Sequence, residues 1–254
     1  MKPGSSIASI IKSASFLMDT SFRFKQFTIR NDTTAMKVGT DGVLLGAWAS
    51  LDGNPKSILD IGTGTGLIAL MLAQRSQAAS IDAIEIEASA FEQSVENFEA
   101  SPWSDRLFCY HCGLEEFARE IGEPYDLILS NPPFYNENAS SGNPVRDAAR
   151  RQASLPFAML LQGGCELLSP EGRFCLILPF REEGSFISLA RTFGLYPNRI
   201  TRVQGTEGGP VKRSLMEFSF GETGPVEDLL TLEIRKNVYT EPYRELTRDF
   251  YLKL

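Results

Sequence analysis

Residues 57–66 read Ser-Ile-Leu-Asp-Ile-Gly-Thr-Gly-Thr-Gly, and this stretch decides the fold. Its apolar half predicts a short buried strand over 57–62, and the residues after the glycines predict a helix over 67–75. The glycines between them predict a tight turn that lets a ligand approach the backbone, and the helix N-terminus offers free amide donors. The glycines follow the spacing G-x-G-x-G, unlike the dinucleotide fingerprint G-x-G-x-x-G, and stand at Gly62, Gly64 and Gly66. With Asp60 in front of it, the loop is a candidate cofactor site.

Further strands and helices alternate beyond this stretch. The pattern predicts strands over 81–85, 107–112, 125–130 and 173–178, and helices over 89–100, 157–168 and 186–193. Short apolar strands separated by helices indicate a parallel sheet covered on both faces. Two last strands, over 199–204 and 214–220, have no helix between them and predict an antiparallel hairpin at the sheet edge. The expected fold class is α/β: a Rossmann-like, doubly wound, mostly parallel sheet of seven strands.

Composition indicates an ordinary globular chain. The 254 residues are 43% hydrophobic and 22% charged, which excludes whole-chain disorder and coiled coil. No apolar run approaches the length of a transmembrane helix, and four cysteines make no disulfide framework, so we expect a cytoplasmic protein. Residues 1–20 are rich in serine and alanine and predict a loosely ordered extension. Residues 21–254 then form a single domain.

Charge is distributed unevenly along the chain. The net charge is −7, yet residues 82–126 alone hold twelve acidic and two basic side chains. The rest of the chain is therefore slightly basic, and one face could bind a polyanion. A polar loop over 143–151 carries candidate substrate contacts at Arg146, Arg150 and Arg151. The other basic clusters are Arg23, Lys25, Arg30 and Lys37, and then Arg191, Arg199, Arg202, Lys212 and Arg213.

Two further motifs follow predicted strands. Glu85 ends the second strand of the sheet, where a carboxylate can accept hydrogen bonds from ribose hydroxyls. Asn131-Pro132-Pro133-Phe134 follows the strand over 125–130. Its prolines remove amide donors, so the Asn131 side chain and the backbone carbonyls are left as acceptors for an incoming NH2 group. Phe134 supplies a ring that can stack on a planar base.

Together these motifs resemble the class I S-adenosylmethionine-dependent methyltransferases, and N-P-P-F resembles the signature of enzymes that methylate exocyclic amines. Residues 24–29 (Phe-Lys-Gln-Phe-Thr-Ile) and 35–48 (Ala-Met-Lys-Val-Gly-Thr-Asp-Gly-Val-Leu-Leu-Gly-Ala-Trp) narrow the family. They are similar to the N-terminal block of the bacterial tRNA1(Val) adenine-37 N6-methyltransferases. This resemblance extends from about residue 22 to the C-terminus.

The resemblance implies methyl transfer from S-adenosylmethionine, with S-adenosylhomocysteine as product, to the N6 amine of adenosine 37 in the tRNA anticodon loop. It implies that residues 21–56 close over the cofactor and that 57–254 form the catalytic core. The cofactor contacts that it implies are Lys37, Gly39, Thr40, Asp60, Gly62, Gly64, Gly66, Glu85, Gly113, Leu114 and Asn131. The implied amine site is Asn131, Pro132 and Phe134, and Asp41 joins the substrate contacts.

Four other functions remain open at this point. A protein-glutamine N5-methyltransferase acting on release factors faces the same chemistry, but that family carries a substantial helical domain before the glycine loop. Another N6-adenine or N2-guanine nucleic-acid methyltransferase would share the motifs. A non-catalytic RNA-binding module is disfavoured by the intact motifs, and a nicotinamide-dependent dehydrogenase is disfavoured by the glycine spacing.

The pair Cys109 and Cys112 lacks a second cysteine pair, so we expect no bound metal. We also expect no membrane contact, and we expect the protein to be a monomer.

Overall fold

The computed structural model describes residues 21–31, 38–121, 123–133 and 155–253. The strands are β1 (Phe22–Arg23), β2 (Thr28–Ile29), β3 (Ser57–Ile61), β4 (Ser80–Glu85), β5 (Leu107–His111), β6 (Tyr125–Ser130), β7 (Leu168–Pro179), β8 (Tyr196–Thr206), β9 (Val211–Ser219), β10 (Val226–Arg235) and β11 (Val238–Tyr239). The helices are α1 (Thr40–Trp48), α2 (Leu67–Arg75), α3 (Ala88–Glu99), α4 (Leu114–Glu120), α5 (Phe157–Leu167), α6 (Glu183–Thr192) and α7 (Glu241–Thr247), with a 3-10 turn at Phe180–Glu182.

A single large sheet organises the chain, in the order β11-β10-β8-β9-β7-β6-β3-β4-β5. Strands β3 to β7 pair in parallel, β9 runs antiparallel to both of its neighbours, and β10 pairs in parallel with β8. The chain leaves β3 toward β4 and β5, then returns to the other side of β3 as β6. In doubly wound sheets such a switch point is where ligands bind, beyond the carboxyl ends of the strands. The expected α/β class is confirmed.

Two details of the expected sheet are wrong. The sheet has nine strands instead of seven, and the antiparallel hairpin of β8 and β9 is not at its edge, because β10 and β11 lie outside it. Within β10 only Leu230 is buried, and most of its other side chains are half or fully exposed. Leu230, Leu232 and Ile234 do alternate with polar residues, so the sequence carried a strand pattern here that the prediction did not use.

Apolar side chains pack on both faces of the sheet. One cluster joins α1, α2 and α7 to the sheet and includes Phe24, Leu44 and Leu70. The other lies under α4, α5 and α6 and includes Leu161 and Phe186. No helix among the described residues is both long and apolar enough to cross a membrane.

The small ribbon of β1 and β2 packs against the end of the described chain. The Lys25 amide donates to the Phe250 carbonyl at 2.8 Å, and the Phe24 ring lies 5.9 Å from that of Tyr251. Several predicted features lie outside the described residues: the extension over 1–20, and Lys37, Phe134, Arg146, Arg150 and Arg151.

Candidate active site

Three predicted site residues stand in one row beyond the sheet. Ile61 at the end of β3 pairs with Ile84 of β4 and with Ser130 of β6. The next residues along these strands are Gly62, Glu85 and Asn131, so they lie side by side. Neighbouring strands are about 4.8 Å apart, which separates Glu85 from Asn131 by about 10 Å at the backbone, with Gly62 between them.

The glycine loop leaves open space above this row. Gly62 and Gly64 have φ of 71° and 60°, and a Cβ on either would meet no atom of the described residues within 4 Å. Gly66, at the start of α2, also has a positive φ of 82°, and in addition a Cβ there would lie 2.5 Å from the Phe98 ring. The amide of Gly62 donates to the Ile84 carbonyl at 3.0 Å and fixes the loop to β4. The loop is therefore attached to β4, and its outer side is open among the described residues.

Asp60 lies beneath the loop and is fully buried. Its Oδ2 accepts a hydrogen bond from the Thr63 hydroxyl at 2.6 Å, whereas Oδ1 is buried without a hydrogen-bond partner among the described residues. Burial raises the pKa of Asp60 from 3.8 to about 7, although the Thr63 hydroxyl and the Ala69 amide oppose the shift and the Glu85 carboxylate adds to it. The site thus contains a carboxyl group that a neighbouring positive charge would ionise.

Glu85 stabilises the glycine loop by accepting a hydrogen bond from its backbone. Its Oε2 accepts from the Gly64 amide and its Oε1 from the Glu87 amide, both at 2.9 Å. Each carboxylate oxygen retains further acceptor capacity, so the predicted ribose contact is compatible with these hydrogen bonds. The pattern of the sequence did not reveal this second role of Glu85.

Ile86, which follows Glu85, was not among the predicted site residues. Its side chain is 64% exposed, and its Cδ1 lies 3.8 Å from the position that a Cβ on Gly113 would occupy. An exposed aliphatic side chain beside the acid at a strand end is the signal that could have identified it. Ile86 and Gly113 form an apolar flank next to Glu85.

Leu114 contributes to this flank only through its backbone. Its side chain is buried, and its Cγ lies 2.6 Å from where a Cβ on Gly163 of α5 would be, so it packs into the core. Gly113 is the N-cap of α4 and Leu114 is its first residue. A ligand here would meet their backbone groups, because the Leu114 side chain points away.

The amine-site motif begins directly after β6. The Ser130 hydroxyl donates to the Ile61 carbonyl at 3.0 Å and ties β6 to β3 immediately before Asn131. Asn131 is half-buried, Pro132 is buried and Pro133 is exposed. The structure thus presents the side chain of Asn131 and a backbone without amide donors at the edge where the glycine loop lies.

The predicted closing segment reaches this edge from the other side. Gly39 is the N-cap of α1, Thr40 is its first residue, and Asp41 lies in its first turn. Asp41 Oδ2 accepts from Arg213 Nε at 2.8 Å. Because Arg213 pairs with Pro179 at the end of β7, Asp41 lies on the β7 side of Asn131. Its carboxylate is held by an ion pair, a partner that the sequence pattern does not indicate.

Asn97 is a buried residue that sequence reasoning missed. Its side-chain oxygen accepts from the Arg30 amide at 2.9 Å, and its side-chain nitrogen donates to the Arg30 carbonyl at 3.1 Å and to the Thr65 carbonyl at 2.9 Å. One amide of α3 therefore ties the end of β2 to the glycine loop. Neither partner is predictable from spacing, since each is about thirty or more positions away.

The third basic cluster is largely neutralised. Four of its five members form ion pairs with carboxylates at 2.7–3.5 Å, namely Arg191 with Glu222, Arg199 with Glu217, Arg202 with Glu183, and Arg213 with Asp41. Lys212 is exposed. This cluster offers less free positive charge than its sequence suggests.

Cys109 and Cys112 form neither a disulfide nor part of a metal-binding group among the described residues. All four cysteines are free thiols, and Cys109 accepts a hydrogen bond from the Ser94 hydroxyl at 3.0 Å. The described part of the chain contains no group of three side chains suited to hold a metal ion.

Comparisons with known proteins agree with this arrangement. The model of the family "Methyltransferase small domain" matches residues 41–194. A curated protein of Christiangramia forsetii named tRNA1(Val) (adenine(37)-N6)-methyltransferase is 59% identical over 235 residues, which is 92% of this chain and 98% of the relative. A protein of Flavobacterium johnsoniae with the same name is 56% identical over 234 residues, 92% of this chain and all of the relative.

Solved structures share the fold. The crystal structure of a predicted O-methyltransferase from Agrobacterium tumefaciens aligns with a TM-score of 0.64 at 18% identity, covering 83% of this chain and 96% of that one. At this identity the likeness concerns architecture alone. The family model and the two relatives, which align over nearly their whole length, show more than the fold. The chain belongs to the methyltransferase small domain family, in the group whose curated members are named tRNA1(Val) (adenine(37)-N6)-methyltransferase.

Proposed function

We propose that this protein transfers a methyl group from S-adenosylmethionine to the exocyclic N6 of adenosine 37 in tRNA1(Val). The observation that carries the proposal is the row of Glu85, Gly62 and Asn131 at one sheet edge, in a chain 59% identical to a relative of that name. The relatives' names favour tRNA over a release factor as substrate. A tRNA substrate would place the protein in the cytoplasm.

The residues around the glycine loop fit S-adenosylmethionine. The open side of Gly62 and Gly64 admits a ligand close to the backbone, Glu85 retains acceptors for ribose hydroxyls, and Asp60 has an unpartnered oxygen that suits a cationic group. Ile86 and Gly113 provide an apolar flank for a planar base. When bound, S-adenosylmethionine supplies an electrophilic methyl group on a sulfonium centre, so the protein mainly has to align the acceptor.

The amine site would act by accepting hydrogen bonds. The Asn131 amide oxygen and the Pro132 carbonyl can each accept from one N6–H, which favours a pyramidal nitrogen with an available lone pair. Both acceptors also stabilise the positive charge that develops on this nitrogen. Phe134 would stack on the adenine and hold its plane. No covalent nucleophile is required of the chain.

The direct test uses unmodified transcripts of tRNA1(Val). We expect the purified protein to form N6-methyladenosine from S-adenosylmethionine, detected by mass spectrometry of nucleosides, and to lose that product when adenosine 37 is replaced by guanosine. A release-factor fragment serves as the rival substrate. Methylation of that fragment without tRNA methylation would refute the proposal.

Asn131 is expected to serve methyl transfer more than binding. Asn131→Ala should slow single-turnover transfer by roughly 100-fold, the scale of removing one preorganised polar contact, and leave S-adenosylmethionine affinity nearly unchanged. Asn198→Ala is the matched control, because Asn198 lies near the start of β8, three strands away from β6, and bonds the Ser219 hydroxyl at 2.7 Å. Transfer by Asn131→Ala at the wild-type rate would show that the amine site lies elsewhere.

A further inference from the structure

An exposed aromatic ring lies at the carboxyl ends of the strands, as Asn131 does, and one strand away from it. Phe180 follows Pro179 at the end of β7 and is 41% exposed. Ser130 pairs with Leu176, so Asn131 is level with residue 177 and Phe180 lies three positions further out. At about 3.3 Å per strand residue, the ring stands up to ~10 Å beyond the amine site and about 4.8 Å to its side.

A charged network holds this ring from one side. The Arg202 guanidinium lies 5.9 Å from the Phe180 ring centroid. Arg202 is fixed by two carboxylates, with Nη2 at 2.7 Å from Glu183 and Nη1 at 2.7 Å from Glu227. Glu183 is buried and also accepts from the Ser214 hydroxyl. The network positions the ring while much of its surface faces solvent.

The surroundings of Phe180 distinguish between partners. The basic side chains around it are mostly paired: Arg181 lies 3.0 Å from Glu182 and Arg213 lies 2.8 Å from Asp41, whereas Lys212 is exposed. A partner protein would favour a contiguous apolar patch. A single exposed ring surrounded by charged and ion-paired side chains instead suits the stacking of one flat base.

We propose that Phe180 is a stacking platform for a base adjacent to the target adenosine in the RNA substrate. This inference rests on the proposed function and adds a recognition residue to it. Sequence-specific RNA recognition targets loops whose bases are splayed apart and stacked on aromatic side chains. With the target base at Asn131, a neighbouring base one strand away could reach Phe180. The platform would then help to select an open loop over a paired stem.

Substitution of Phe180 tests the platform. Equilibrium binding of the tRNA1(Val) transcript should weaken about 5- to 100-fold in Phe180→Ala, the range expected for one stacked base, and recover in Phe180→Trp. S-adenosylmethionine affinity should stay unchanged in both variants. Phe220→Ala is the control. Phe220 is 36% exposed, but it follows the antiparallel strand β9 and so lies at the other end of the strands from Phe180.

Abasic stem-loops identify the stacked base. An anticodon stem-loop lacking the base at position 36 or 38 should bind the wild type more weakly at one of the two positions, and Phe180→Ala should lose nothing further there. Equal affinity of Phe180→Ala and the wild type, or additive losses at both positions, would overturn the platform. Because wild-type methylation of adenosine 37 is measured in parallel, its absence would instead refute the proposed function.

Discussion

At the scale of single residues, Asp60 is a buried carboxyl group whose pKa is strongly shifted. Its burial raises its pKa to about 7, whereas in the unfolded chain the pKa is near 3.8. A raised pKa in the folded state means that the folded protein binds the proton more tightly. The protonated form therefore stabilises the fold below about pH 4, and this contribution is lost as pH rises toward 7.

Asp60→Asn removes this titration and keeps the shape of the side chain. The free energy of unfolding of the variant relative to the wild type should increase by about 1.4 kcal/mol per pH unit between pH 4 and 7, and level off above 7. Urea denaturation at pH 5, 6, 7 and 8 without ligand measures this slope. A difference that stays constant with pH would mean that Asp60 is ionised throughout.

For single residues, the sequence predicted where a site residue lies along its strand better than which residue it bonds. It placed Glu85, Gly62 and Asn131 correctly at strand ends, because apolar runs determine where strands end. The Gly64 amide on Glu85 and the Arg213 guanidinium on Asp41 were not predicted. Such contacts depend on how distant segments pack, and no local pattern encodes them.

At the scale of elements, α3 connects two parts of the site. Asn97 makes three hydrogen bonds to the backbone of Arg30 and Thr65, and its side chain is almost fully buried. Removing it takes a hydrogen-bond donor from the buried Thr65 carbonyl, at a cost of about 1–3 kcal/mol. The glycine loop would lose its tie to the ribbon of β1 and β2.

We therefore expect Asn97→Ala to lower both stability and S-adenosylmethionine affinity, the latter roughly tenfold, on the scale of one lost hydrogen bond. Ser94→Ala is the matched control: Ser94 is equally buried on α3 but bonds the Phe91 carbonyl and Cys109. It should lose stability and keep its affinity. Titration calorimetry and urea denaturation separate the two effects, and unchanged affinity in Asn97→Ala would contradict the coupling.

The predicted elements succeeded where periodicity was strong. The helix α2 and the strand β6 have the predicted bounds, Leu67–Arg75 and Tyr125–Ser130. Helix α1 was not predicted, because its glycines lower helix propensity; Gly46 is used there for close packing, since a Cβ would lie 2.8 Å from Met71 Sδ. The short α4 has only Leu114 and Phe117 buried, too few to show a period.

For the whole molecule, the charge distribution bears on RNA binding. The chain carries −7 overall, and carboxylates neutralise most of the third basic cluster, so phosphate contacts must come mainly from other basic residues. The loop over 143–151 is the predicted source. Arg150 and Arg151 thus become the natural probes of the face that binds tRNA.

Reversing both charges, with Arg150→Glu and Arg151→Glu, should weaken tRNA binding. The slope of log affinity against log salt should fall by about two units, about one for each lost phosphate contact. Arg191→Glu is the control, because Arg191 already pairs with Glu222 at 3.0 Å. Filter binding over a salt series measures the slopes, and equal slopes for the double variant and the control would place the RNA on another face.

The contact between the N-terminal ribbon and residues 248–251 has a consequence for synthesis. Lys25 bonds the backbone of Phe250 and of Arg248, and Phe24 lies against Tyr251, so the ribbon cannot make these contacts until residues 248–251 have left the ribosome. Asn97 then anchors the ribbon beside the glycine loop. Domains generally fold as units during translation. A nascent chain stalled before residue 248 would therefore carry every predicted site motif without these contacts to the ribbon.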